Sequence, residues 1–239
     1  WRLMPMVAMV IIGLVFNLSL TDPPFTPSDR SVAAYSIELS PPHVDKIAEQ
    51  LKAAREALNA KQYSSAVALF ETVLADDQSA INGFSDAYVE ALQGLAEEMI
   101  SKDKEYAKGL LIKALGIKPA SVPVLSQLGF IYLSDNNYPK AIDTYQKVAE
   151  LDPQLPNAFF NLGYIYAVTE NYTKAKEMYT QVVQMEPAFI DEALFNLAMV
   201  HEQLGEKRQC LKSLKRAIKI NPDNASALAY LNQIKGQKE

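Results

Sequence analysis

Between residues 122 and 224 one arrangement of apolar, small and polar positions is written three times. Leu125, Leu128, Gly129, Tyr132, Tyr138, Ala141, Tyr145, Val148 and Pro153 recur as Phe159, Leu162, Gly163, Tyr166, Tyr172, Ala175, Tyr179, Val182 and Pro187. They recur again as Leu194, Leu197, Ala198, His201, Lys207, Cys210, Leu214, Ala217 and Pro222. The prolines lie 34 and then 35 residues apart, and the extra residue falls near Ile190. A period of this length marks a stack of repeated units rather than a single closed core.

Within each unit the apolar spacing of three and four predicts helices. In the first copy they cover about 122–135 and 139–151, joined by the polar turn Asn136, Asn137, Tyr138. Gly129 and Ala141 are small where the two helices are expected to approach closely, and larger residues fill the space around them. Pro153 has no amide hydrogen and clashes with the preceding turn, so the second helix must stop before the next copy begins. One hairpin cannot bury its own apolar stripe, so neighbouring copies are expected to stack on it.

The register and residue types resemble the tetratricopeptide repeat family. The resemblance implies an all-α, right-handed α-solenoid of about five helix-turn-helix repeats with a capping helix. The repeats are expected at 45–80, 86–121, 122–155, 156–189 and 191–224, and the cap at 225–239. The first repeat shows Ala54 and Ala57, then Tyr63, Ala66, Phe70 and Val73 in the register of Tyr138, Ala141, Tyr145 and Val148. Residues 76–85 are polar and loop-like. The second repeat is irregular: its second helix keeps Ala107, Leu111, Ala114 and Pro119 in register. Its first helix is out of phase by about one residue, with Leu92, Leu95 and Ala96 as equivalents. The cap is apolar at Ala227, Leu228, Leu231 and Ile234.

In such repeats the first helices line a concave face. Carried over residue by residue, that face receives Ser126, Gln127, Phe130 and Ser134, then Asn157, Phe160, Asn161, Tyr164 and Val168, then Glu192, Phe195, Asn196, Met199 and Gln203. Ten of these form the expected peptide-binding groove: Gln127, Phe130, Asn157, Phe160, Asn161, Tyr164, Phe195, Asn196, Met199 and Gln203. Rings bury apolar side chains, while amides offer a donor and an acceptor to an extended backbone. The family often uses an asparagine in the row of Asn161 and Asn196 to hold a ligand's main chain. The competing reading has Phe160 and Phe195 completing the packing between repeats. The family's other mode, a cluster of lysines and arginines clamping a carboxylate, lacks its residues here, because the first helices of the last three repeats carry no cation at groove positions.

The 239-residue chain is different in character at its start. Residues 3–20 contain no charge, and at ~1.5 Å per residue they would reach ~27 Å, close to a bilayer core of ~30 Å. A retained transmembrane anchor over 1–20 is the expectation, with a cleaved signal peptide and a buried core helix as the alternatives. Arg2 as the basic flank would leave a single-pass inner-membrane protein with its repeats in the periplasm. Residues 21–44, with Pro23, Pro24, Pro27, Pro41 and Pro42, read as an extended tether.

A net charge of -5 offers no general reason to bind nucleic acid, and none is expected as a partner. The exception is the stretch from 207 onward, where eight lysines and arginines stand against Asp223 and Glu239. That stretch reads as a solvated outer face or as a docking surface for an acidic partner. There is no phosphate-binding glycine loop, no metal-ligand cluster and no nucleophile motif, so no catalytic residue, metal or cofactor is expected. His201 stands where the other copies have tyrosine, and Cys210 where they have alanine, so both read as structural. Glu97-Glu98 and Asp76-Asp77 read as solvated carboxylates. The expected function is a membrane-anchored protein-protein interaction scaffold, an accessory or assembly subunit of a membrane complex. The rival is a periplasmic chaperone or maturation factor that holds extended client peptides, for example in cytochrome c maturation or secretion.

Overall fold

In four of the five repeats a proline that follows the second helix sets where that helix ends. In the computed structural model, which describes residues 42–236, α4 (Lys104–Ile117), α6 (Tyr138–Leu151), α8 (Tyr172–Met185) and α10 (Lys207–Ile220) all stop two residues before Pro119, Pro153, Pro187 and Pro222. The residue before a proline is driven out of the helical region by its ring. Lys118, Asp152 and Asn221 accordingly take extended backbone, with φ between -125° and -135°. Glu186 instead takes a left-handed conformation at φ 50°, at the one junction where the period lengthens to 35.

The first helices are α1 (Pro42–Asn59), α3 (Ser85–Met99), α5 (Val122–Ser134), α7 (Pro156–Val168) and α9 (Ile190–Gln203). The remaining helices are α2 (Tyr63–Asp76) and the capping α11 (Ala225–Gly236). The described residues thus form an all-α solenoid of eleven helices with no strand. Residues 78–83, expected as loop, form a 3-10 turn between α2 and α3. The expected anchor at 1–20 and most of the tether at 21–44 lie outside the described residues. Pro42 to Val44, assigned to the tether, instead form the first turn of α1, where a proline loses no helical hydrogen bond. Among the described residues no helix is long and apolar enough to cross a membrane.

Four of the five turns inside a repeat share one geometry. Lys61, Asn136, Glu170 and Gly205 take positive φ, between 55° and 72°. The next amide then reaches back to the last turn of the first helix: Gln62 N to Ala57 O, Asn137 N to Tyr132 O, Asn171 N to Tyr166 O and Glu206 N to His201 O, at 2.8–2.9 Å. This left-handed cap satisfies carbonyls that the helix end would otherwise leave open. In the second repeat the α3–α4 turn lacks it, which is the structural counterpart of its irregular sequence. Because a side chain in this conformation is strained by about 1–2 kcal/mol, Glu170→Gly is expected to raise stability by up to about 1 kcal/mol, read as a higher urea midpoint. A lower midpoint would show that the exposed Glu170 side chain does more than occupy the turn.

The core runs along the stack without a break. Ala54, Ala66, Phe70, Tyr88, Leu92, Leu111 and Ile131 are buried in its first part, and Tyr145, Leu162, Tyr179, Leu194, Leu214 and Ala227 in its second. Leu125, Val148 and Ala158 join the two. The small residues have a more specific role than close helix approach. A Cβ on Gly129 would stand 3.0 Å from the Tyr145 ring, and one on Gly163 would stand 2.9 Å from the Tyr179 ring. Each glycine makes room for a tyrosine of its own repeat. Leu228 of the cap, expected inside, is 37% exposed, while Ala227 and Leu231 carry the seal.

Candidate functional site

Stacking places equivalent residues of successive first helices side by side, so each register position becomes a row across α5, α7 and α9. Gln127, Asn161 and Asn196 form a row of amides, and Phe130, Tyr164 and Met199 form an apolar row next to it. Phe130 and Tyr164 are 52% and 46% exposed, although each follows a fully packed glycine in sequence. On the other side of the amides, Asn157 and Glu192 share a register position.

Three hollows follow these rows. The first, of about 520 Å³, lies between α3, α5 and α7 and is lined by Glu97, Gln127, Phe130, Tyr145, Asn157 and Asn161 among others. The second, of about 340 Å³, is lined by Asn157, Phe160, Asn161, Phe189 and Glu192. Asn157 and Asn161 border both, so the two adjoin at α7. The third, of about 310 Å³, takes Tyr164, Val168, Asn196, Met199 and Gln203. No lysine or arginine lines any of them, whereas Glu97 and Glu192 do.

Apart from Glu97 and Glu192, the polar chemistry of this face is that of uncharged amides and hydroxyls. Among the described residues the buried side-chain carbonyl oxygen of Gln127 has no hydrogen-bond partner, as is also true of Gln50. Burial pushes the Tyr145 hydroxyl up to about 12 and raises that of Tyr179 as well. Both floor residues therefore stay protonated and add no charge.

Nine of the ten expected groove residues border these hollows. Phe195 lines none of them and packs half-buried into the core between repeats. Phe160 has both roles, since it lines the second hollow while its ring meets Tyr179 and Phe189 edge-on at 5.6 and 5.4 Å. Glu97, read from sequence as a solvated carboxylate, belongs to the first hollow. It directly follows Ala96, the equivalent of Gly129, so projecting that register through the irregular helix would have placed it beside Phe130. Phe189 escaped because it lies in the one junction that breaks the period.

Other candidate chemistry is already engaged. The His201 Nδ1 stands 2.5 Å from Glu206, whose other oxygen accepts from Lys176 at 2.7 Å. Lys176 and then His201 hold the Glu206 carboxyl below its ordinary range. In the two preceding repeats the same row has Lys140 over the Tyr132 ring and Lys174 over the Tyr166 ring, at 5.4 and 5.2 Å. Cys210 is fully buried and burial pushes its thiol up to about 11, which keeps it unreactive. A further hollow of about 520 Å³ beside α2 is walled by Glu71 and Lys113, which pair with each other at 2.6 Å. Among the described residues no group of three or more His, Cys, Asp or Glu is placed to hold a metal.

Comparison with known proteins agrees with this geometry. A family model described as TPR repeat matches residues 129–168, and models described as tetratricopeptide repeat match residues 156–189 and 191–224. These stretches of the chain are tetratricopeptide repeats. No curated protein matches the sequence. Among solved structures, MamA (AMB-1) is similar at 23% identity, covering 78% of this chain and 98% of that one, with a TM-score of 0.58. YrrB, described as a TPR protein with an unusual peptide-binding site, is similar at 20% identity, covering 80% of this chain and 98% of that one, with a TM-score of 0.63. At these identities the likeness establishes the solenoid fold.

Proposed function

We propose that these tetratricopeptide repeats make the chain a protein-interaction scaffold whose groove across α3, α5, α7 and α9 holds an extended segment of a partner protein. The observation that carries this reading is the pair of adjoining hollows lined by Gln127, Asn157 and Asn161 and walled by the exposed Phe130 ring. An extended backbone presents an amide N–H at every residue and alternates its side chains. It would donate to the amides of Asn157 and Asn161 while apolar side chains settle against the ring row. YrrB supports the reading as a similar fold described as binding a peptide.

The uncharged stretch at 3–20 supports a finer form, in which the scaffold is anchored in an inner membrane by a single span. Its repeats would face the periplasm, where it serves as an accessory or assembly subunit of a membrane complex. A chaperone role has one observation in its favour: amides that address the main chain are indifferent to sequence, so the same groove suits many clients.

Cross-linking in native membranes, followed by purification and quantification of what accompanies the full-length chain, tests the reading. A dedicated subunit brings one integral-membrane complex at near-fixed ratio, and a chaperone brings many clients at low occupancy. Asn161→Ala with Asn196→Ala is expected to weaken capture about tenfold, since two backbone-directed hydrogen bonds are lost at ~0.5–1.5 kcal/mol each. Helicity by circular dichroism should stay the same. Undiminished capture by this variant would move the partner away from the groove.

A further inference from the structure

We infer that the groove selects a segment that is apolar in its middle and cationic toward both ends, with Glu97 and Glu192 as the selecting carboxylates. This rests on the peptide-holding reading above and adds the class of peptide. The two acids stand at opposite ends of the run of rows. Glu97 on α3 borders the first hollow and Glu192 on α9 borders the second. Both are exposed, and neither forms an ion pair among the described residues. Between them lie amides, apolar side chains and neutral hydroxyls such as Ser126 and Tyr145, and no cation lines the groove to neutralise them.

Some acids elsewhere on this molecule already face a lysine, while others, such as Glu90, Glu150 and Glu170, stand in open solvent without an ion pair among the described residues. Glu71 faces Lys113, Asp135 faces Lys104, Asp86 faces Lys118 and Glu206 faces Lys176. Glu97 and Glu192 differ in bordering hollows that hold apolar rings and that no lysine or arginine lines. A segment with acidic ends would bring like charges together, which costs binding as well as failing to gain it.

Spacing narrows the segment further. From α3 to α9 there are three steps between neighbouring first helices, each on the order of 10 Å, and an extended chain advances ~3.3 Å per residue. The two cationic positions would then be separated by roughly nine residues.

The test uses three fluorescent peptides of the same alternating Leu and Ser core, flanked on both ends by Arg, by Ser or by Glu, with binding read by anisotropy. The wild-type repeats are expected to bind the Arg-flanked peptide about tenfold more tightly than the Glu-flanked one at low salt, with the difference shrinking at high salt. Glu97→Lys with Glu192→Lys is expected to reverse the order; both positions are exposed, so the fold should not change. Equal binding of all three peptides by wild type would overturn the charge selection and leave the groove reading standing. Binding of none of them would remove both. An unchanged preference in the double variant would show that other residues make the selection.

Discussion

Gly163→Leu is expected to lower the stability of the repeats by about 1–3 kcal/mol or more, the cost of forcing extra methylene groups into a packed core. The site has no slack. A single Cβ at Gly163 already falls 2.9–3.0 Å from three atoms of the Tyr179 ring, which is itself almost fully buried. That ring cannot withdraw without shifting α8 against α7. The last repeat shows how the conflict is avoided: Ala198 stands at the glycine position, and Leu214, a smaller side chain, stands at the tyrosine position, both fully buried. The pairing suggests a rescue. Gly163→Ala combined with Tyr179→Leu is expected to cost less than the sum of the two single changes, with a coupling of about 0.5 kcal/mol or more. Urea unfolding followed by circular dichroism measures both. An unchanged midpoint for Gly163→Leu, or strict additivity in the cycle, would mean that Tyr179 does not occupy the glycine's space.

The second large effect is expected at Asp191, the most unusual buried group in the described chain. It is only 7% exposed, and one of its carboxylate oxygens accepts from the amides of Asn221 and Asn224, each at 2.8 Å. Asn221 ends α10, and Asn224 starts α11, accepting there from the Ala227 amide at 2.9 Å. One carboxylate therefore ties the start of α9 to the capping helix. Asp191→Ala would leave two amide donors without this acceptor and is expected to cost about 2 kcal/mol or more, with the loss concentrated in α10 and α11. Hydrogen exchange should show the cap opening first, since end repeats have neighbours on one side only. Protection of α11 equal to wild type would sink the proposal that Asp191 holds the cap.

The same carboxylate predicts an acid sensitivity. Burial pushes Asp191 up, but the hydrogen bonds from Asn221, Asn224 and the nearby backbone outweigh it and hold the group below its ordinary value. A depressed folded value means that the contribution is fully present above the unfolded carboxyl value of about 3.9 and is lost as pH falls through the lower folded value. The stability gap between wild type and Asp191→Asn should be constant from neutral pH down to about 5 and narrow below about 4. A gap that holds constant to pH 3 would contradict the assignment.

Most of the groove was legible because repetition does the work of an alignment. Once Gly129, Gly163 and Ala198 are set in one column, Phe130, Tyr164 and Met199 fall into the next, and so do the amides on the other side. Phe195 lines none of the hollows, because column position says which way a side chain leaves its helix and does not say whether a neighbour covers it. Glu97 was missed where α3 slips by a residue and Tyr63 packs onto Gly94, which takes the place of the amide in that repeat. The acidic character of the groove was hidden for a related reason: net charge and charge runs average over faces that the fold separates.

By itself the sequence determined the period, the helices, the turns between them and the proline stops, because each depends on residues within a few positions of one another. It also determined which face of each first helix the repeat leaves unfilled. Only the tertiary structure decided that glycine makes room for tyrosine, that Asp191 fastens the cap from some thirty residues away in sequence, and that two carboxylates on α3 and α9 border adjoining hollows. Those outcomes depend on contacts between repeats, and the distance across a stacking interface is set by how whole helices pack rather than by any local stretch of chain.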